Sequence, residues 1–557
     1  MKALTDVLQR TFVPVLALLV LLAAGFAPLT DGWRIALAVI AAPLLLLGLY
    51  DWFQIRFTIT RNYPVLARIR WLFYDLRPFL RQYIVEGDLE GTPYSFEARN
   101  LVHARARGIT DTNPFGSDRN MDEAGYTWLA HSMSPVEDVD EDPRVMVGNS
   151  QCLQPYSASV FNISAMSFGA LSANAIEALN LGAAKGGYYH DTGEGGISKY
   201  HKKHQGDLVW EIGTGYFGCR DEQGRFDADK FAETARLPQV KMTELKLSQG
   251  AKPGHGGMLP GAKVTAEIAA ARAVPQGKDC ISPRHHSEFS NPTEMLQFVA
   301  RMRDLSGGKP VGIKFCVGQP HEVMALVKAM LKTGIYPDYI VVDGAEGGTG
   351  AAPLELSDWV GMPLTEGLIL VRNALVGTNL RQHVKIAVSG QIYSGMGLAK
   401  NLAIGADWCN AARAFMFSVG CIQAKRCHEG KCPTGIATQD PLRQRGLVVD
   451  VQGERSARFH RKTVAAMMDM VAAAGLHHPD DLRPHHLTTR KSGVEACGIQ
   501  ELHTFLEPGV LLEAPEKTLY AGWWKAASPD TFAPQCDPDS SVIVSTHTEA
   551  SEAEQRL

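Results

Sequence analysis

Three cysteines, Cys421, Cys427 and Cys432, fall within twelve residues in GCIQAKRCHEGKCPTG, at spacings of six and five. Thiolates this close can hold three irons of an iron-sulfur cluster, because a soft sulfur ligand matches iron that is also bonded to sulfide. Two other readings stand beside it: one zinc ion with His428 as fourth ligand, or cysteines buried without a metal. The zinc reading lacks the closely spaced C-x2-4-C pair.

Lys314 sits in the apolar stretch VGIKFCV, where an inward charge is costly unless it meets an anion or an electron-rich cofactor. A flavin would use such a lysine beside its pyrimidine ring; the plain alternative is an edge-strand lysine facing solvent. Ser389-Gly390-Gln391 and Asn410-Ala411-Ala412-Arg413 each follow an expected strand, where barrels build a phosphate site from their last loops. Backbone N–H groups there can hold a phosphate and Arg413 can add charge, although glycines alone also make ordinary turns. The stretch LSQGAKPGHGGMLPGAKV puts Gln249, Lys252 and His255 on a glycine-rich loop, with Arg272 twenty residues after Lys252. A lysine, an arginine and a glutamine amide would suit a dicarboxylate, if the fold brings them together.

Positioning these residues requires elements that alternate. From about 155 to 440, short β-rich runs ending in glycine or polar residues are separated by alanine-rich stretches of helical length. Expected strands are 159–165, 240–246, 310–315, 339–343, 384–389 and 406–410, with helices at 173–184, 262–273, 322–331 and 395–404. This pattern predicts an α/β chain folded as a (β/α)8 TIM barrel with its site at the C-terminal strand ends. A doubly wound sheet is the rival, but it lacks the first-turn G-x-G-x-x-G.

Before the barrel, 11–30 and 35–50 are uncharged runs broken by Asp31–Arg34. They predict a transmembrane helical hairpin over 1–54, with Lys2 and Arg10 before it and Arg56, Arg61, Arg68 and Arg70 after it. Both ends then face the cytoplasm, and the soluble part lies on the cytoplasmic side of the inner membrane. Residues 55–154 read as a linker or collar, 441–530 as a helical extension and 531–557 as a disordered tail.

Composition narrows the classes. The 557 residues are 45% hydrophobic and 20% charged, which excludes a wholly disordered chain. Fifty-five basic against 59 acidic residues give a formal charge of −4, so no extended basic surface for nucleic acid is expected. Ten cysteines in this length are not the density of a small secreted disulfide scaffold.

Seven ordered motifs resemble the FMN-binding synthase domain of glutamate synthase: ISAMSFGALS at 163–172, TGEGG at 192–196, QGAKPGHGG at 249–257, ISPRHH at 281–286, DGAEGGTGAAP at 343–353, SGQI at 389–392 and CIQAKRCHEGKCPTGIATQ at 421–439. The resemblance, to membrane-anchored members of that family, covers about half the chain. It implies an oxidoreductase acting on CH–NH2 donors that carries FMN beside a 3Fe-4S cluster and reduces the imine of 2-oxoglutarate and ammonia, or another amine, to glutamate. The cluster ligands would be Cys421, Cys427 and Cys432. FMN would be held by Ser164, Met166, Ser167, Lys314, Gly348, Gly390, Gln391, Ala412 and Arg413. Glu194, Gln249, Lys252 and Arg272 would serve catalysis, the last three also binding 2-oxoglutarate together with Ser290.

The chain departs from the family's pattern in reading GHGGM at 254–258, where GEGGQ is common, and GEGGI at 193–197. No amidotransferase domain is expected ahead of the barrel, so ammonia would come free or from a separate glutaminase. Without a Rossmann fingerprint, electrons would come from ferredoxin or a separate reductase. Two rival functions follow: an N-methylglutamate synthase-type subunit, or a membrane-associated flavin and iron-sulfur electron-transfer protein.

Overall fold

The computed structural model describes residues 2–259 and 261–537. The chain divides into two compact units, Met1–Phe96 and Glu97–Leu557. In the first, helix α1 (Lys2–Phe26) and helix α2 (Asp31–Phe53) pack on each other across a short turn. Gly48 permits the approach, since a Cβ there would lie 2.7 Å from Cβ of Pro14. Helix α2 is long and apolar enough to cross a membrane, and α1 contains the shorter apolar run Thr11–Phe26. Their outward faces carry Leu19, Val39, Ile40 and Leu46, all exposed. Asp51, at the end of α2, is buried and paired with Arg68 at 2.6 Å, while accepting the Val65 N–H at 3.0 Å.

The second unit is built on a closed barrel of eight parallel strands. These are β1 (Phe161–Ile163), β2 (His190–Asp191), β3 (Leu208–Ile212), β4 (Val240–Lys246), β5 (Val311–Phe315), β6 (Tyr339–Asp343), β7 (Lys385–Ser389) and β8 (Trp408–Ala411). Sequences such as VGIKF are buried along their whole length, as strands covered on both faces must be. Side-chain caps set the helix starts: Ser172 accepts from Ala175 N–H before α3 (Ala173–Gly186), and Asn291 from Glu294 N–H before α4 (Pro292–Leu305). Six of the strands lie where the sequence places them. The other two, β2 and β3, escaped it because one is two residues long and the other, LVWEI, carries a glutamate in mid-run.

The expected strand 159–165 divides: Tyr156–Ser159 pairs antiparallel with Arg144–Val147, and only Phe161–Ile163 enters the barrel. The expected helix 262–273 starts at Ala266, where Thr265 caps it. Helix α5 (Val449–Ala473) packs against α3 through reciprocal small residues; a Cβ on Gly182 would sit 2.6 Å from Ser456 Cβ, and one on Gly453 would sit 2.7 Å from Leu181. Thr127–Leu129 pairs with Leu487–Arg490, so the region ahead of the barrel and the C-terminal extension form one small sheet. His321 Nε2 bonds the Phe532 carbonyl at 3.0 Å; the expected disordered tail lies, from residue 538, outside the described residues.

Candidate active site at the strand ends

The loops after β2, β3 and β4 border a cleft lined by Glu194, Thr214, Lys246, Gln249, Lys252, His255 and Arg284. Glu194 reaches it between two glycines: a Cβ on Gly213 would be 2.5 Å from its Oε2, and one on Gly257 would be 2.8 Å from its Oε1. Lys246 Nζ lies 3.3 Å from Glu194 Oε2 and donates to Gln249 Oε1 at 2.6 Å. Burial pushes the Glu194 carboxyl up, but the charges of Lys246, Arg272 and Lys252 outweigh it and hold the group below its ordinary range. Burial lowers the Lys252 ammonium, with Lys246 adding to the effect.

Arg272 is buried behind the Glu194 loop rather than in the cleft wall. Its guanidinium stacks 5.1 Å from the Phe217 ring centroid, Nη2 donates to Phe168 O at 3.3 Å, and Nε has no partner among the described residues. Ser290 is not brought to the cleft. Its backbone N–H and hydroxyl both bond Glu294 Oε2, at 2.7 and 2.9 Å, which commits it to the start of α4.

Lys314 points into the barrel, 3% exposed, and the anion it meets is Glu211 Oε2 at 2.8 Å. Asp191 and Glu244 stand beside this pair, and one carboxylate oxygen from each of Asp191, Glu211 and Glu244 lies within 4.8 Å of the others. Burial and the neighbouring Glu211 push the Asp191 carboxyl up to about 7. Sequence reasoning missed Lys246, Glu211, Glu244 and Asp191 as members of the site. The signal was the one that marked Lys314, a charge in an otherwise apolar run: Glu244 and Lys246 stand two apart in KMTELK and so share a face.

The remaining candidates ring the same end of the barrel. Ser164 follows β1 and its N–H donates to Ala411 O at 3.0 Å; Met166 and Ser167 continue that loop, and a Cβ on Gly193 would meet Ser167 N at 2.7 Å. Gly390 (φ 153°) and Gln391 (φ 49°) turn away from β7, whose Ser389 hydroxyl donates to Asp343. Gly348 lies against Arg413, where a Cβ would be 2.8 Å from Nε, and Arg413 donates to Glu346 O; Ala412 immediately precedes it. These bare-backbone strand ends with one guanidinium suit a phosphate-bearing planar cofactor.

The cysteine loop is fastened to this face. Ser172 N–H donates to Ile436 O at 2.7 Å, Gln439 Nε2 to Gly169 O and Leu171 O, and Lys263 Nζ to His428 O at 2.9 Å. Cys421 and Cys427 are raised by burial and by neighbouring thiols, whereas at Cys432 the backbone N–H groups of Ala437, Thr434 and Ile436 outweigh burial and favour the thiolate. The three sulfurs are not all within 4.8 Å of one another, since among the described residues only the carboxylate trio meets that limit. One tetrahedral zinc, with Zn–S of about 2.3 Å, would draw them closer than this. His428 is 59% exposed and faces Glu429 at 3.7 Å.

A parallel eight-stranded barrel with charged groups gathered at the C-terminal strand ends is an enzyme scaffold. Residues 134–477 match the model of the conserved region in glutamate synthase. The chain is similar to the glutamate synthase large subunit-like protein YerD of Bacillus subtilis, 36% identical over 515 residues, covering 84% of this chain and 98% of that protein. It is 32% identical over 370 residues to the archaeal-type glutamate synthase [NADPH] of Thermotoga maritima, covering 66% and 70%. Among solved structures, the flavin-binding domain of baker's yeast flavocytochrome b2 aligns with a TM-score of 0.41 at 12% identity, covering 74% of this chain and 83% of that one. The chain belongs to the glutamate synthase family and is a glutamate synthase-like oxidoreductase.

Proposed function

We propose that this chain reduces the imine of 2-oxoglutarate and ammonia to glutamate, using FMN and a 3Fe-4S cluster. The observation that carries the reading is the convergence of Glu194, Gln249 and Lys252 on one cleft, with Lys246 behind them. Lys252 and the Gln249 amide bind and orient the dicarboxylate, Arg272 fixes the Glu194 loop from behind, and Glu194 moves a proton at the reacting carbon's substituent. Closure of the loops around a small cleft limits water at the reacting atoms.

FMN would be held by Ser164, Met166, Ser167, Lys314, Gly348, Gly390, Gln391, Ala412 and Arg413, and supplies hydride chemistry when bound. Cys421, Cys427 and Cys432 would hold the cluster, which supplies single electrons when bound; three cysteines on one loop support this, and the N–H groups aimed at Cys432 favour its thiolate, the ligating form. The electron donor in this reading is ferredoxin or a separate reductase, and ammonia arrives free or from a separate glutaminase. The apolar hairpin α1–α2 anchors the protein in the cytoplasmic membrane's lipid with the barrel on the cytoplasmic side.

A second reading, transfer to an amine as in N-methylglutamate formation, is favoured by His255 at the cleft edge, where the family commonly has glutamate. The two separate when the dithionite-reduced protein meets 2-oxoglutarate with either ¹⁵N-ammonium or methylamine. Labelled glutamate supports the first reading, N-methylglutamate the second, and neither product would leave electron relay as the function.

A further inference from the structure

The barrel core holds more acid than base. Lys314 is matched by Glu211 at 2.8 Å and Lys246 by Glu194 at 3.3 Å, which leaves Asp191 and Glu244 without a cation of their own. Both are buried within 4.8 Å of Glu211, and three carboxylates this close in a dry core do not all stay ionised. The hydrogen bonds decide which keeps its proton longest as pH rises. Asp191 Oδ1 accepts the Gly193 N–H at 2.9 Å, a bond that favours the anion. Glu244 is 1% exposed, its Oε1 has no hydrogen-bond partner among the described residues, and Lys314 Nζ stands 4.0 Å away.

The arrangement also has a direction. Glu244 and Glu211 are register partners on β4 and β3; Glu211 Oε1 lies 3.8 Å from Lys246 Nζ, and Lys246 leads to Glu194 in the cleft. We propose that Glu244 is kept as a neutral carboxylic acid in the barrel core and that its proton reaches the cleft through Glu211, Lys246 and Glu194. This rests on the glutamate-forming reading, which needs such a supply: 2-oxoglutarate, ammonium, two electrons and two protons give glutamate and water. Each hop breaks one O–H or N–H bond and makes another. The Lys246 ammonium gives its proton to the oxygen that leaves as water by way of the Glu194 carboxylate, which is ionised before and after the transfer, and Glu211 passes the Glu244 proton to the Lys246 amine. The Glu244 carboxylate then regains a proton from solvent after product leaves.

Burial, then Asp191, hold the Glu244 carboxyl well above its ordinary range, and Lys314 opposes them without prevailing. The other groups facing it are Glu211 on β3, Asp343 on β6, and the Tyr189 and Tyr339 phenols. Glu244 is a positioning residue in this scheme, since it acts through Glu211 and Lys246.

Infrared spectroscopy of the full protein in H2O and D2O tests the proposal, because a protonated carboxyl absorbs above the amide band. The wild type should show such a band at a pH of about 9, where Asp191 has lost its proton, shifted by ¹³C-glutamate labelling and not by ¹³C-aspartate, and Glu244→Gln should lack it. That variant should retain its FMN yet lose roughly 100-fold in 2-oxoglutarate-dependent flavin reoxidation at high pH, and least at low pH, where bulk protons substitute. No glutamate-derived band, or a band that follows aspartate, overturns the stored proton; labelling alone decides this even if the variant does not fold. A lost band with an unchanged pH profile overturns the relay. A wild type with the band but no turnover of 2-oxoglutarate overturns the glutamate-forming reading and with it the relay's destination.

Discussion

Lys246 shows how one side chain links the cleft to the core. It holds Glu194 ionised from one side while the interior carboxylates press on it from the other. Replacing it with Met, which keeps the length and removes the charge, should raise the Glu194 carboxyl toward the ordinary range and slow 2-oxoglutarate-dependent turnover by about 100-fold, while Lys246→Arg recovers part of the rate. A pH–rate profile of both variants reads this out. Asp191 gives a stability prediction with a definite sign. Its folded pKa of about 7 lies above the ordinary carboxylate value of 3.8, so the native state binds the extra proton between these limits and loses stability as pH rises through them. Asp191→Asn removes that dependence. Melting temperatures should therefore show the variant gaining on the wild type from pH 4 to 7 and holding its gain above. A constant difference across that window would contradict the placement of Asp191 in the carboxylate cluster.

Individual elements make other demands. The loops after β3 and β4 can enclose Glu194 only because Gly213 and Gly257 have no side chains. Gly213→Ala would put a methyl 2.5 Å from Glu194 Oε2 and should cut turnover while the melting temperature changes little. At the α3–α5 contact, Gly182→Val should instead destabilise the fold, by about 1 to 3 kcal/mol, through a clash with Ser456, which thermal unfolding would register. Much of this scaffold was legible in the sequence. Runs such as YIVVD announce strands because apolar β-branched residues are buried on both faces, and the register then brings Gln249, Lys252 and Glu194 to one end. The illegible parts have physical causes. A two-residue strand has no period to detect, charged residues in LVWEI and KMTELK read as surface until the barrel closes around them, and Ser290 carries a hydroxyl whose commitment to Glu294 depends on local capping geometry. Arg272 was placed near the right loop, but its stacking behind the cleft depends on Phe217, far along the chain.

Across the whole molecule, three parts divide the work: an apolar hairpin, a barrel that binds and reacts, and a cysteine loop fastened to the reacting face. A chain beginning at residue 54 should leave the membrane fraction and keep its flavin, as checked by ultracentrifugation and absorbance. Replacing any one of Cys421, Cys427 or Cys432 with Ala should remove most of the iron and sulfide from anaerobically purified protein; zinc at one per chain would contradict the cluster. The central claim is that the cleft binds 2-oxoglutarate and forms glutamate there, and it is tested most directly by stopped-flow reoxidation of the reduced flavin with 2-oxoglutarate and ammonium. The wild type should reoxidise and yield glutamate, and Lys252→Ala should be slowed by roughly 100-fold, equivalent to about 2 to 3 kcal/mol for a lost charge-assisted contact, with FMN content unchanged. Equal rates in wild type and variant, or no reoxidation of the wild type at any ammonium concentration, would contradict it.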